Sequence, residues 1–294
     1  MPFRHQNTIA RSTAVKGVGF LTGADVTLQF HPAGEDHGIV FRRADLPGAP
    51  CVPATIKYTV PRARRTSVAG GDAVVEMTEH VLAALYGLQV DNCLVELDAP
   101  EPPGCDGSSL WFAEALLESG IVEQSAPRRA FAVNAEAGVC SEDGNSEMSV
   151  RPNGRPTLTI DYRLDYGPDS PIPPQTLRLD VAPRSFLKEL AFSRTFILES
   201  EVEALQAQGY GTRITPKDLL VVGERGIIDN SLRVPNEYVR HKVLDCIGDC
   251  ALLGCDLHGR FTAFRSGHRL NRAMVRWLWE QAQTARRGPT ARAA

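Results

Sequence analysis

The segment Arg240-His-Lys-Val-Leu-Asp-Cys-Ile-Gly-Asp249 holds the densest chemistry in the chain. His241 and Asp245 are four residues apart. On an α-helix that spacing displaces them by about 40° around the axis, one turn apart, so both can reach one metal ion. Asp249 continues along roughly the same face, one turn further. Imidazole nitrogen and carboxylate oxygen are ordinary zinc ligands, and a catalytic zinc usually takes three protein ligands with one position left open. The best third candidate is His80, at the start of an expected helix and beside Glu79. A helix N-terminus favours an ionised carboxylate, and a glutamate beside metal-bound water is placed for general-base hydrolysis. The chain has no HExxH motif, so a zincin-type site is excluded. Spacing alone leaves the choice open. A His-x3-Asp pair is more often a surface or capping pair, and Glu79-His80 alone is an ordinary polar first turn.

The elements that must hold these residues are readable in outline. Asn236 to Leu253 is the strongest expected helix. A second begins after Thr78 as N-cap, runs Glu79 to Leu85 and stops at Gly87. Val26, Leu28 and Phe30 alternate with polar residues at the period of a half-buried strand. Gly38 to Arg43, Asn92 to Asp98, Ser146 to Arg151, Leu158 to Tyr162, Leu177 to Val181 and Phe261 to Phe264 read as further strands. Helices are expected at Leu110 to Glu118, Glu201 to Gln208 and Leu270 to Ala282. Gln124 to Arg129 is the best linker candidate. Strands followed by helices on each side of it predict an α+β fold of two similar halves with a cleft between them. No sequence repeat supports a duplication. The expected division is an N-terminal α+β domain over 1–125, a C-terminal one over 126–284, and a flexible tail over 285–294.

Composition removes several function classes. The 294 residues are 43% hydrophobic and 23% charged, as in a globular protein, and their net charge of -3 supplies no basic excess for nucleic acid. The first residues lack an apolar leader, and no stretch approaches the roughly 18 apolar residues of a membrane span. Seven cysteines without a CxxC pair predict reduced thiols and a cytoplasmic protein. Cys246, Cys250 and Cys255 match no common zinc spacing and read as small buried residues. Arg62, Arg64 and Arg65 read as a solvated face, with a role near a nucleotide phosphate left open.

Taken together, Gly38 to Arg43, Thr78-Glu-His-Val-Leu-Ala-Ala-Leu85, Asp91-Asn92, Asp106-Gly-Ser108, Arg194-Thr-Phe196, His241 to Asp249 and Ser266-Gly-His268 carry a family resemblance. The chain closely resembles the UDP-3-O-acyl-N-acetylglucosamine deacetylases, zinc enzymes of lipid A synthesis, from about Thr8 to Leu278. The resemblance implies two helical layers packed between two outer sheets, with the site at the domain junction. It implies His80, His241 and Asp245 as ligands of Zn2+, with Fe2+ as an alternative in the cell. It implies Glu79 as general base and His268 as the cationic group that stabilises the oxyanion and protonates the leaving amine. Asp249 would orient and charge His268, and Thr195 would support the tetrahedral intermediate. Lys242 and Phe196 would contact the acylated UDP-amino-sugar. A monomer is expected.

Two segments depart from the family pattern. Leu21 in Gly17-Val-Gly-Phe-Leu-Thr-Gly23 stands where the family usually has histidine. Tyr210 to Asp218 replaces a Gly-Gly-Ser-Leu-Asp-Asn type of sequence inside the subdomain over about 197–228 that holds the acyl chain in the family. These departures motivate a second reading, a metal amidohydrolase of a different N-acyl sugar. A third is a non-catalytic protein with a structural metal, which would have no use for Glu79 or His268.

Overall fold

The computed structural model describes residues 4–287. In the first half, five strands lie side by side in the order Thr13–Val18, Asp25–Pro32, Cys93–Leu97, Ile39–Arg43, Cys51–Pro53. Only the Cys93–Leu97 and Ile39–Arg43 pair is parallel. Val26, Leu28 and Phe30 face the core from their strand, as the alternation predicts. In the second half the order is Ala137–Cys140, Glu147–Arg151, Asp256–Phe264, Leu158–Leu164, Gln175–Asp180. Among these five, again only the third and fourth strands are paired in parallel. Ala130–Ala132 also pairs with Asp256–Phe264. The two halves therefore share one topology without a legible sequence repeat. Sheet order follows from strand patterning and connection handedness, which many sequences satisfy.

In each half the chain lays four strands, makes an excursion, forms a helix, and returns to place a fifth strand in the centre. The first excursion is a small sheet of Thr59–Val60, Ser67–Gly70 and Ala73–Val75, before helix α1 (Glu79–Gly87). Helix α2 (Leu110–Ser119) follows the fifth strand. The second excursion holds the turn α3 (Pro183–Ser185), a π-type turn over Phe186–Leu190, helix α4 (Glu199–Ala207), and a small sheet of Phe196–Leu198, Leu220–Gly223 and Gly226–Ile227. Helix α5 (Glu237–Ala251) closes it, and α6 (His268–Arg287) follows the fifth strand.

Helix α1 packs on α5 and α2, while α5 also packs on α6 and on its own sheet. The helices thus fill the space between the two five-strand sheets. α1 is buried everywhere except Tyr86, so it carries no polar stripe. α1 and α5 approach closely at Gly248, where a Cβ would sit 2.2 Å from the Glu79 carbonyl oxygen. Two arginines also tie the halves. Arg4 binds Asp91 at 2.6 Å and Asp256 at 2.7 Å, and Arg128 reaches the same two carboxylates at 2.9 and 3.2 Å.

Several local expectations need correction. Most of the expected linker is strand: Ile121–Pro127 pairs antiparallel with His5–Ile9, which satisfies its backbone groups. Thr78 precedes α1, but its hydroxyl makes no cap bond and donates instead to the Thr66 carbonyl at 3.1 Å. α6 begins at His268 rather than Leu270, so His268 is not in a loop. It runs to Arg287, and the rest of the expected tail lies outside the described residues.

Gly248→Ala should force α1 and α5 apart and destabilise the protein by roughly 1–3 kcal/mol or more. The denaturation midpoint in urea should fall; an unchanged midpoint would show that the helices yield without cost.

Candidate metal centre

α1 delivers Glu79 and His80 from its first turn, and α5 delivers His241, Asp245 and Asp249 from successive turns. All five are buried. One ligand atom each from His80, His241 and Asp245 can be chosen so that all lie within 4.8 Å of one another. Asp245 Oδ1 is 3.3 Å from His241 Nε2 and 3.7 Å from His80 Nε2. The two imidazole rings meet edge to face, 5.0 Å between centroids. His241 Nδ1 lies 3.1 Å from the Ser193 carbonyl oxygen. Donation there leaves the Nε2 lone pair facing the cluster.

The donor set fits a metal ion on an observation of its own. Asp245 Oδ1 is buried and has no hydrogen-bond partner among the described residues. An unsatisfied buried carboxylate oxygen is costly, and a cation between the three side chains would satisfy it. Burial holds the His241 imidazole neutral, with its pKa down to about 3, as a ligand requires. Burial opposes ionisation of Asp245, but His241, Lys242 and His268 together hold its pKa well below the usual carboxylate range.

Glu79 and His268 face each other beside this cluster. His268 Nε2 is 3.7 Å from Glu79 Oε1 and 3.8 Å from Asp245 Oδ2. Its other nitrogen, Nδ1, donates to Asp249 Oδ2 at 2.9 Å. Burial would lower the His268 pKa, but Asp249, then Glu79 and Asp245, outweigh it and raise the pKa to about 9. Its place at the start of α6 also disfavours positive charge, and the carboxylates win because one is in direct contact. Burial raises the Glu79 pKa, with His268 and His80 pulling the other way. A carboxylate made more basic by burial is better suited to accept a proton.

These groups open on a cleft of about 470 Å³. Thr195 and Phe196 line it. Thr195 is anchored by its N–H, which donates to the Gly107 carbonyl at 2.7 Å. The Phe196 ring lies 6.2 Å from that of His241 and 5.0 Å from that of Tyr238. Lys242 lines the cleft too, but its Nζ donates to Asp245 Oδ2 at 2.7 Å. Burial disfavours the Lys242 charge, yet Asp245, Tyr162 and Tyr166 raise its pKa, so it stays an ammonium. Of the basic run, Arg64 lines the cleft and pairs with Glu201, while Arg62 and Arg65 pair with Glu76 at 2.9 and 2.7 Å. Arg265 and Arg269, not singled out from the sequence, also line it.

Sequence reasoning missed Thr66, Ser193 and Asn271. Ser193 and Asn271 each hydrogen-bond one site residue, Thr66 bonds both Glu79 and Asp249, and none sits in a pattern that a helical period could flag. The two departing segments prove to be neighbours. The Gly17–Gly23 loop wraps buried Glu101, which accepts from the Leu21 N–H. Arg213 donates to the Gly23 carbonyl at 2.8 Å and binds Asp25 at 3.0 Å.

Two α+β halves meeting at a buried His, His, Asp group beside a carboxylate and a cationic imidazole form the framework of a metal-centred hydrolase. Comparison with known proteins gives the family. The model of the UDP-3-O-acyl N-acetylglycosamine deacetylase family matches residues 6–280, and the chain belongs to that family. It is 39% identical over 278 residues to the UDP-3-O-acyl-N-acetylglucosamine deacetylase of Anaeromyxobacter sp. (strain Fw109-5), covering 94% of this chain and 89% of that one. It is 36% identical over 273 residues to the enzyme of the same name from Myxococcus xanthus, covering 92% and 85%. It is also 37% identical over 307 residues to a bifunctional enzyme LpxC/FabZ of Chlorobaculum tepidum, covering 95% of this chain but 65% of that longer protein.

In metal-free protein, His268 should titrate near pH 9 rather than near 6.5. Because the folded pKa is raised, the stability its charge contributes is fully present below pH 6.5 and is lost as pH rises through about 9. Imidazole NMR shifts check this directly: Asp249→Asn should move the midpoint down by more than one pH unit, and an unmoved midpoint would remove Asp249 as the cause.

Proposed function

We propose that the chain hydrolyses the acetamide of UDP-3-O-acyl-N-acetylglucosamine, giving the free amine and acetate at the committed step of lipid A synthesis. The observation that carries this is the placement of Glu79 and His268 3.7 Å apart beside the His80, His241, Asp245 group. A structural metal site needs neither a proton acceptor nor a proton donor beside it. The family and the names of its members point to the substrate.

His80, His241 and Asp245 would hold the ion, and zinc is the proposed one, although the same donors also take Fe2+. A bound zinc would acidify water and polarise the amide carbonyl. Glu79 accepts the proton of the attacking water. His268, kept charged by Asp249, faces the carbonyl oxygen as it gains charge and then gives its Nε2 proton to the departing amine. Thr195, which lines the same cleft, would support the same oxygen. Phe196 packs against the substrate, and Lys242 would contact it while holding Asp245 ionised. Opposite protonation states in Glu79 and His268 give a bell-shaped pH–rate profile. Among the described residues, no helix is long and apolar enough to cross a membrane.

The contact between the Leu21 loop and Arg213 favours keeping one second reading, a different N-acyl sugar as substrate. Acetate release from an acylated UDP-sugar, set against a simple N-acetyl sugar, separates the two.

Removing metal with a chelator should abolish acetate release, and zinc should restore it. Glu79→Ala should keep one bound metal and lower kcat by at least about a hundredfold. His80→Ala should lose metal and turnover together. Acetate release that persists after complete metal removal would sink the reading.

A further inference from the structure

Asp249 is fully buried, and both of its oxygens accept hydrogen bonds from protein. Oδ2 accepts from His268 Nδ1 at 2.9 Å and from Asn271 Nδ2 at 2.8 Å. Oδ1 accepts the hydroxyl of Thr66. The direction of that last bond follows from the neighbours. Arg272 Nη1 donates to Thr66 Oγ1 at 3.2 Å, so the hydroxyl proton is free to point at the carboxylate. Asn271 is oriented in turn, because Ser266 Oγ donates to its Oδ1 at 2.6 Å.

Thr66 also reaches the opposite side of the centre. Its N–H donates to Glu79 Oε2 at 3.0 Å, and its carbonyl accepts from the Thr78 N–H at 2.9 Å and the Thr78 hydroxyl at 3.1 Å. One fully buried residue of the first half thus touches Glu79 on α1 and Asp249 on α5. Asn271 belongs to α6, one turn after His268.

We propose that Thr66 and Asn271 are positioning residues that clamp Asp249, and through it His268, in the orientation deacetylation requires; this rests on the function proposed above. A carboxylate held only by His268 could rotate about its Cβ–Cγ bond and carry the imidazole with it. Bonds from two further sides remove that freedom. A misplacement of about 1 Å in a catalytic group is enough to cost orders of magnitude in rate.

The test is steady-state deacetylation by the zinc-loaded full chain, with zinc content and thermal midpoint measured on each variant. Thr66→Val and Asn271→Ala should each lower kcat by roughly tenfold while KM and bound zinc stay within about twofold. Thr66→Ser keeps the hydroxyl and should recover kcat to within about threefold of wild type. The double variant should lose less than the product of the two, since both bonds serve one carboxylate. If Thr66→Val does not fold, Thr66→Ala carries the same expectation. Wild-type kcat in either folded variant, a Thr66→Ser chain no better than Thr66→Val, or losses that track lost zinc would overturn the clamp. Inactivity of the wild-type chain would instead overturn the deacetylase reading beneath it.

Discussion

The contact between α1 and α5 at Gly248 governs the centre. The backbone of Glu79 rests where a side chain on α5 would otherwise stand. That close approach lets the first turn of one helix share a cluster with the middle of another. His80 and His241 come within ring contact, and Asp245 lies against both. A wider crossing would leave His241 and Asp245 as an isolated pair on α5, with too few donors for a catalytic metal.

Electrostatics at the centre follow from burial without isolation. Each ionisable group there has lost water, and each has an oppositely charged or donating neighbour instead. Asp249 keeps His268 cationic, Lys242 keeps Asp245 ionised, and Ser193 fixes the His241 tautomer. Asp245 Oδ1 is the exception, a buried oxygen without a hydrogen-bond partner among the described residues, and it lies where the metal is proposed to bind. The protein thus tolerates several buried charges because they are paired in a chain rather than scattered.

The cleft depends on both excursions. Arg64, from the first half, closes on Glu201 of α4, and the ring of Tyr210 stands 5.8 Å from the Arg65 guanidinium. Arg213 reaches back to Gly23 and Asp25. The second excursion is therefore tied to the first half at several places, the Thr195 to Gly107 hydrogen bond and the Arg233–Asp106 ion pair among them. Both departures from the family pattern fall in this region, so they belong to one local surface rather than two.

What the sequence determined by itself was local. The helix around His241 and Asp245, the short helix after Thr78 and most strands were legible, because each depends on residue period and on glycine or proline punctuation. The His-x3-Asp spacing placed two candidate ligands on one helical face, but the motifs of the family were needed to choose His80. Tertiary structure decided the rest. The shared topology of the halves left no trace in residue identity, because a sheet order is a property of patterning and connection. Thr66, Ser193 and Asn271 were invisible, since hydrogen bonds to distant partners have no period. The expected linker, Gln124 to Arg129, overlaps the strand Ile121–Pro127, which carries no local signal because its pairing partner is at the opposite end of the half. The family resemblance implied a cationic His268, but its physical cause, Asp249 at 2.9 Å, came only with the tertiary structure, for a pKa depends on distance and burial, and neither is written in residue order.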